Sequence, residues 1–158
     1  MLKLTKLSDY AVVILAAMAK NSALEADKES VPLQSASSLA HLTLLPEPTV
    51  SKILKLLAKW RLIESVRGVN GGYRLNTPAD QVTMIDVIEA VEGPVSLVSC
   101  LEQGHDECPI QHACSMSGAW APVNTAIRTA LENVSLQDMM VYRNHTGTTT
   151  ILKQKAIH

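Results

Sequence analysis

The sequence predicts a mainly α fold: a winged helix-turn-helix with a small β-hairpin wing, a cysteine-rich loop and a long C-terminal dimerisation helix. Three observations predict it. Apolar residues recur at helical spacing through three successive segments before Trp60, a glycine-rich hairpin follows at once, and three cysteines fall within fifteen residues of the second half. The order helix, helix, basic helix, hairpin is that of a winged helix-turn-helix, in which the third helix enters the major groove and the wing lies along the backbone.

The first helix is read from about Thr5 to Lys20, with Leu7, Ala11, Ile14, Leu15 and Met18 on one stripe and Asn21-Ser22 ending it. Residues 21–30 are polar and read as a loop. Pro32 then opens a second helix carrying Leu33, Ala36, Leu39 and Ala40, which ends near His41 to Leu44. Pro46 and Pro48 introduce the third, where Val50, Ile53, Leu54 and Leu57 occupy i, i+3, i+4 and i+7 and Ser51, Lys52, Lys55 and Lys59 take the other face. Two short extended pieces, Leu62 to Val66 and Tyr73 to Leu75, flank Gly68-Val69-Asn70-Gly71-Gly72. That loop lies between strands and lacks the Lys-Ser/Thr of a P-loop, so a nucleotide site is not expected there. Beyond the wing, Met84, Val87, Ile88 and Val91 share a face within a helix from Thr83 to Val91, stopped by Glu92-Gly93-Pro94. A long helix is expected from about Met116 to Asn133, with Trp120, Val123, Ile127 and Leu131 on its stripe, and a further turn or two from Ser135 to Met140. The organisation is therefore a DNA-binding domain over residues 1–80, then a helix, a ligand loop (97–116) and a dimerisation helix over 81–140, and a mobile tail over 141–158.

The formal net charge is only -1, yet Thr49 to Leu75 holds six basic residues against one acidic, and the chain from Asn76 onward holds nine acidic against four basic. A basic block inside a near-neutral protein is the footprint of a phosphate-binding face, although a solvated helix face with incidental lysines gives the same count. Thr49, Ser51, Lys52 and Lys55, read on the exposed face near the start of the third helix, are the expected base and phosphate contacts; Arg67, Asn70 and Arg74 serve the wing. The partner they imply is double-stranded operator DNA. The longest apolar run, Ala11 to Ala19, is too short to cross a bilayer and no cleavage site follows it, so a cytoplasmic protein with no membrane partner is expected.

Cys100, Cys108 and Cys114 are the chain's only cysteines. An odd count does not suit a disulfide framework, thiols stay reduced in the cytoplasm, and thiolates gathered in a polar loop suit a soft metal or an iron-sulfur cluster. Three free buried cysteines are the plainer alternative. Three thiolates also suit tetrahedral zinc, and a metal-free thiol redox sensor is a further possibility. No nucleophile-base pair or paired carboxylates stand out, so an enzyme is not expected.

Leu4-Thr5-Lys6, Asp9-Tyr10-Ala11, the wing Val66-Arg67-Gly68-Val69-Asn70-Gly71-Gly72-Tyr73, Ile85-Asp86-Val87-Ile88 and the three-cysteine loop together resemble the Rrf2 family of bacterial regulators, typified by IscR and NsrR. The likeness covers about residues 1 to 140 and is greatest to the branch that controls the SUF iron-sulfur assembly operon. The resemblance implies a homodimeric repressor of assembly genes whose cysteines hold an iron-sulfur cluster, with 2Fe-2S favoured and 4Fe-4S open because the first gap, seven residues, is longer than usual. Nitric oxide sensing is a variation within the same family. The family's ligands carry over onto Cys100, Cys108 and Cys114. Some members use a histidine three residues after the last cysteine, where this chain has Ser117; others use an acidic residue near the N-terminus of the partner subunit, which here is Asp9. A carboxylate in the first turn of a helix is also favoured by the helix dipole alone. His105, His112 and His41 are weaker ligand candidates.

Overall fold

A computed structural model of the chain describes residues 4–22, 32–68, 71–98, 114–116 and 118–144. Along them run helices α1 (Lys6–Ser22), α2 (Ala36–Thr43) and α3 (Glu47–Lys59), strands β1 (Ile63–Val66) and β2 (Gly72–Leu75), and helices α4 (Met84–Glu92), α5 (Ala121–Glu132) and α6 (Leu136–Asn144).

The predicted apolar stripes converge on one core. Ala11, Ile14, Leu15 and Met18 of α1 meet Leu39 of α2, Val50, Ile53, Leu54 and Leu57 of α3 and Val87 of α4, all fully buried. Four buried side chains on α3 contribute about 1.5–3 kcal/mol each, far more than the few tenths by which helix propensities differ, so packing fixes this helix. Leu136, at the start of α6, is also fully buried in that core. It is held there by backbone hydrogen bonds from its N–H to Val82 (2.8 Å) and from Gln137 N–H to Ala79 (3.0 Å).

Helix α2 begins at Ala36, four residues after the Pro32 start that the sequence suggests. The reason is tertiary. Gln34 N–H donates to the Tyr73 carbonyl and Tyr73 N–H to the Gln34 carbonyl, both at 2.9 Å, so residues before Ser35 are extended along the wing. Ser35 then caps α2, its hydroxyl accepting from Ser38 N–H at 3.1 Å. The hairpin pairs Ile63 with Leu75, Glu64 with Arg74, Ser65 with Tyr73 and Val66 with Gly72. A Cβ at Gly72 would lie 2.9 Å from the Gln34 carbonyl oxygen, so only glycine lets the two backbones approach this closely.

Helix α4 carries a full capping box: Thr83 accepts from Asp86 N–H, and the Asp86 side chain accepts from Thr83 N–H at 3.1 Å. Helix α5 starts at Ala121, not near Met116. Pro122 belongs in a first turn, where its missing N–H costs nothing, and the positive φ of Gly118 (74°) breaks any helix before it. Helix α6 continues to Asn144, so residues 141–144, read as the start of a mobile tail over 141–158, are helical; residues 145–158 lie outside the described residues.

Candidate functional site

The outward side of α3 is the opposite of its core side. Lys52, Lys55 and Lys59 are exposed, whereas Val50, Ile53, Leu54 and Leu57 are buried. Thr49 and Ser51, expected on the exposed face, are half-buried. Each lies one position from Val50, roughly 100° round the helix, which puts both on the flanks of the lysine face rather than at its centre. Pro46 at the N-cap and Pro48 in the first turn set the start of the helix without a side-chain cap.

In the wing, Arg67 is exposed just beyond β1, and Asn70 lies outside the described residues. Arg74 is not a free cation. Its Nε donates to Glu64 Oε2 at 2.8 Å across the strand pair, both side chains partly exposed. Arg61, which the motif reading did not single out, ends α3 in the left-handed region (φ 59°), with its carbonyl accepting from Asn76 Nδ2 at 2.9 Å. Leu44 takes the same conformation at the other end of the turn into α3 and is 87% exposed.

Of the proposed ligands, Cys114 is a free, half-buried thiol, and Cys100 and Cys108 lie outside the described residues, as do His105, His112 and Ser117. His41 is exposed at the end of α2, in the last turn where a basic side chain suits the helix dipole. Asp9 sits exposed in the first turn of α1. The capping task there belongs to another carboxylate. Glu92, the last residue of α4, accepts from Thr5 N–H (3.0 Å), from the Thr5 hydroxyl (2.9 Å) and from the Ser8 hydroxyl, with Ser8 itself buried. Burial alone would push the Glu92 carboxyl up, but the Ser8 hydroxyl and then the Thr5 N–H and hydroxyl donate to it and hold it below the usual glutamate value. Among the described residues the Asp9 carboxylate accepts no hydrogen bond.

The cysteine segment leaves α4 through Gly93-Pro94, and its first limb is held in place. Val95 N–H donates to Glu89 Oε1 (3.2 Å), Arg128 pairs with the same oxygen and reaches the Val95 carbonyl (3.5 Å), and Leu97 N–H donates to Asn124 Oδ1 (3.1 Å). Sequence reading missed these two α5 residues. Their signal was present as a polar i, i+4 pair beside the apolar stripe of Val123 and Ile127. No α5 residue is buried, and Trp120 and Val123 are each 46% exposed, so the stripe read on this helix is largely uncovered by the described residues. No helix among the described residues is long and apolar enough to cross a membrane.

The Rrf2 family, described as an iron-dependent transcriptional regulator, matches residues 4–142. The HTH-type transcriptional regulator CymR of Bacillus subtilis is 28% identical over 141 residues, covering 89% of this chain and 91% of that protein. A solved structure of the B. subtilis protein, presented as the global cysteine regulator, superposes with a TM-score of 0.63 over 90% of this chain and 98% of its own. The HTH-type transcriptional regulator NsrR of Oceanobacillus iheyensis is 26% identical over 139 residues, 88% of this chain and 90% of that one. The structure of T. potens IscR, 22% identical, shares the fold with a TM-score of 0.59 over 96% of both chains.

Proposed function

This chain belongs to the Rrf2 family of DNA-binding, winged-helix transcriptional regulators, and we propose that it is a cytoplasmic homodimeric repressor of iron-sulfur assembly genes of the suf type that senses an iron-sulfur cluster. Its relatives are transcriptional regulators and not enzymes. The observation that carries the reading is what flanks the cysteine segment. Before it stands the end of α4, whose Glu92 caps α1, and Cys114, a free thiol, precedes α5.

The donor set suits such a group. Cys100, Cys108 and Cys114 supply thiolates, and Asp9, relieved of capping by Glu92, supplies a carboxylate from the partner subunit's copy of α1. A bound cluster, 2Fe-2S in the favoured form and 4Fe-4S in the alternative, would provide a centre that oxidant, nitric oxide or iron scarcity removes. On the DNA side Lys52 and Lys55 contribute phosphate affinity, Thr49 and Ser51 approach base edges from the flanks of α3, and Arg67, Asn70 and Arg74 serve as the wing's DNA contacts. The uncovered apolar side of α5, with Trp120 and Val123, supplies the surface on which a second copy packs.

The test is a visible spectrum with iron and sulfide analysis on protein purified without oxygen. Broad visible absorption with matching iron and sulfide is expected. A colourless protein with stoichiometric zinc overturns the sensor and leaves a structural metal site. The likeness to CymR favours one second reading, a metal-free thiol regulator of the same fold, for which a colourless, metal-free protein that binds its operator fully would speak.

A further inference from the structure

Among the described residues the limb that leads from α4 into the cysteine arm has no strand partner, yet its backbone is fixed at two places. Val95 is closed into a ring: its N–H donates to Glu89, its carbonyl accepts from Arg128, and Glu89 and Arg128 pair with each other. Two residues on, Leu97 N–H donates to Asn124. Asn124 and Arg128 are one turn apart on α5 and so present both groups along one line of that helix. The pair is not a loose surface contact, since the Glu89 side chain is 16% exposed and that of Arg128 34%. A part-buried carboxylate that loses its cation is costly, which gives the ring a defined closed state.

We propose that Asn124 and Arg128 are positioning residues that fasten the cysteine arm to the dimer-facing helix, so that a change of state in the arm is passed to α5. The inference rests on the arm-sensing function proposed above and adds the route by which the arm acts. Helix α5 has no buried residue of its own, so its seating relies on partly buried Ile127 and Leu131 and on this polar ring. If the arm draws Val95 and Leu97 away, α5 must follow or the ring must open. A shift of α5 is a shift of the surface offered to the second copy, and with it of the spacing of the two α3 helices. An allosteric ratio of about 5- to 150-fold in operator affinity is within reach of such a coupling.

The test uses the full chain and the variants Asn124→Ala, Asn124→Asp and Arg128→Met. In metal-free protein, native-state hydrogen exchange at the Leu97 amide should quicken about tenfold in Asn124→Ala and return to the wild-type rate in Asn124→Asp, which keeps the acceptor. The Val95 amide should quicken similarly in Arg128→Met, while α3 amides hold their protection. In protein loaded without oxygen, iron content should match the wild type while the ratio of loaded to metal-free operator affinity falls toward one. Unchanged exchange at Val95 and Leu97 overturns the clamp, and a wild-type affinity ratio despite quickened exchange overturns its role in signalling. If the wild type takes up no iron, the sensor reading fails by itself; the clamp is then judged on the exchange rates alone. Should Arg128→Met fail to fold, Asn124→Ala carries the decision, because it leaves the ion pair intact.

Discussion

Lys52 and Arg74 both stand in the basic block, yet their environments predict different salt dependence. Lys52 is exposed on the outward side of α3, and among the described residues it has no ion-pair partner. The Arg74 guanidinium already holds Glu64 at 2.8 Å. Each phosphate neutralised on duplex DNA contributes a slope of about 0.9 to log K against log salt, so in a dimer the loss of one contact per protomer lowers the slope by about 1.8. Between 50 and 200 mM salt that makes the wild type lose about tenfold more affinity than Lys52→Ala does. Arg74→Ala should flatten the slope by less, because its charge is largely offset by Glu64 before DNA arrives. The assay is anisotropy of labelled operator and of a scrambled duplex of equal length across that salt range. The Lys52 effect should be the same on both duplexes, as a phosphate contact requires. An unchanged slope in Lys52→Ala, or a larger change in Arg74→Ala, refutes the assignment of the lysine face.

Two further outcomes concern the ends of helices. Arg61 holds φ at 59°, a region that disfavours a side chain, and Arg61→Gly should raise stability by up to about 1 kcal/mol after the extra freedom of the unfolded chain is deducted. A denaturation midpoint that rises with unchanged slope checks it, and a lower midpoint contradicts it. Glu92 is held below the ordinary glutamate value of 4.5 in the folded state, so what its ionised form adds is complete above that value and is lost as pH falls through the folded one. The stability gap between wild type and Glu92→Gln should therefore be level near neutral pH and narrow below about pH 4.5; a gap that stays flat down to pH 3.5 would mean that the Thr5 and Ser8 hydrogen bonds do not favour the charged form.

What was legible in the sequence follows from how local each signal is. The α3 stripe and the glycine-rich turn of the wing each reside in a few adjacent residues, and each is found where its pattern puts it; the Thr83–Asp86 capping box is equally local but was not singled out. The start of α2 was not legible, because Pro32 is an acceptable first helical residue and only the pairing of Gln34 with Tyr73, far along the chain, takes that segment out of the helix. Local chemistry did mark the start of α5 through Pro122, but the sequence reading opened the helix near Met116 and passed over it. The hold of Asn124 and Arg128 on the arm depends on Glu89 of α4 and on the segment after it, which no window of one element contains. In the winged-helix half the charge pattern marked the lysines that stand exposed on α3, and the pairing of Arg74 with Glu64, though both residues are in plain view, needed the register of the hairpin.

The end of α4 is where these threads meet. Glu89 and Glu92 are three residues apart on one helical side; the first holds the arm and α5, the second holds the start of α1 beside Asp9. Helix α4 is itself rigidly seated, with Met84, Ile85, Val87, Ile88 and Ala90 buried and its first turn capped, and it packs on both α1 and α3. Close-packed interiors change arrangement in steps and deform little, so a pull on the arm cannot be absorbed inside α4. It has to appear at the two carboxylates, either as a displaced α5 or as a freed α1 terminus. In the proposed dimer both of those elements would face the second copy, α5 through Trp120 and Val123 and α1 through Asp9, the proposed ligand, and by that route a small loop carrying three thiols would act on the distance between two α3 helices that it need not touch.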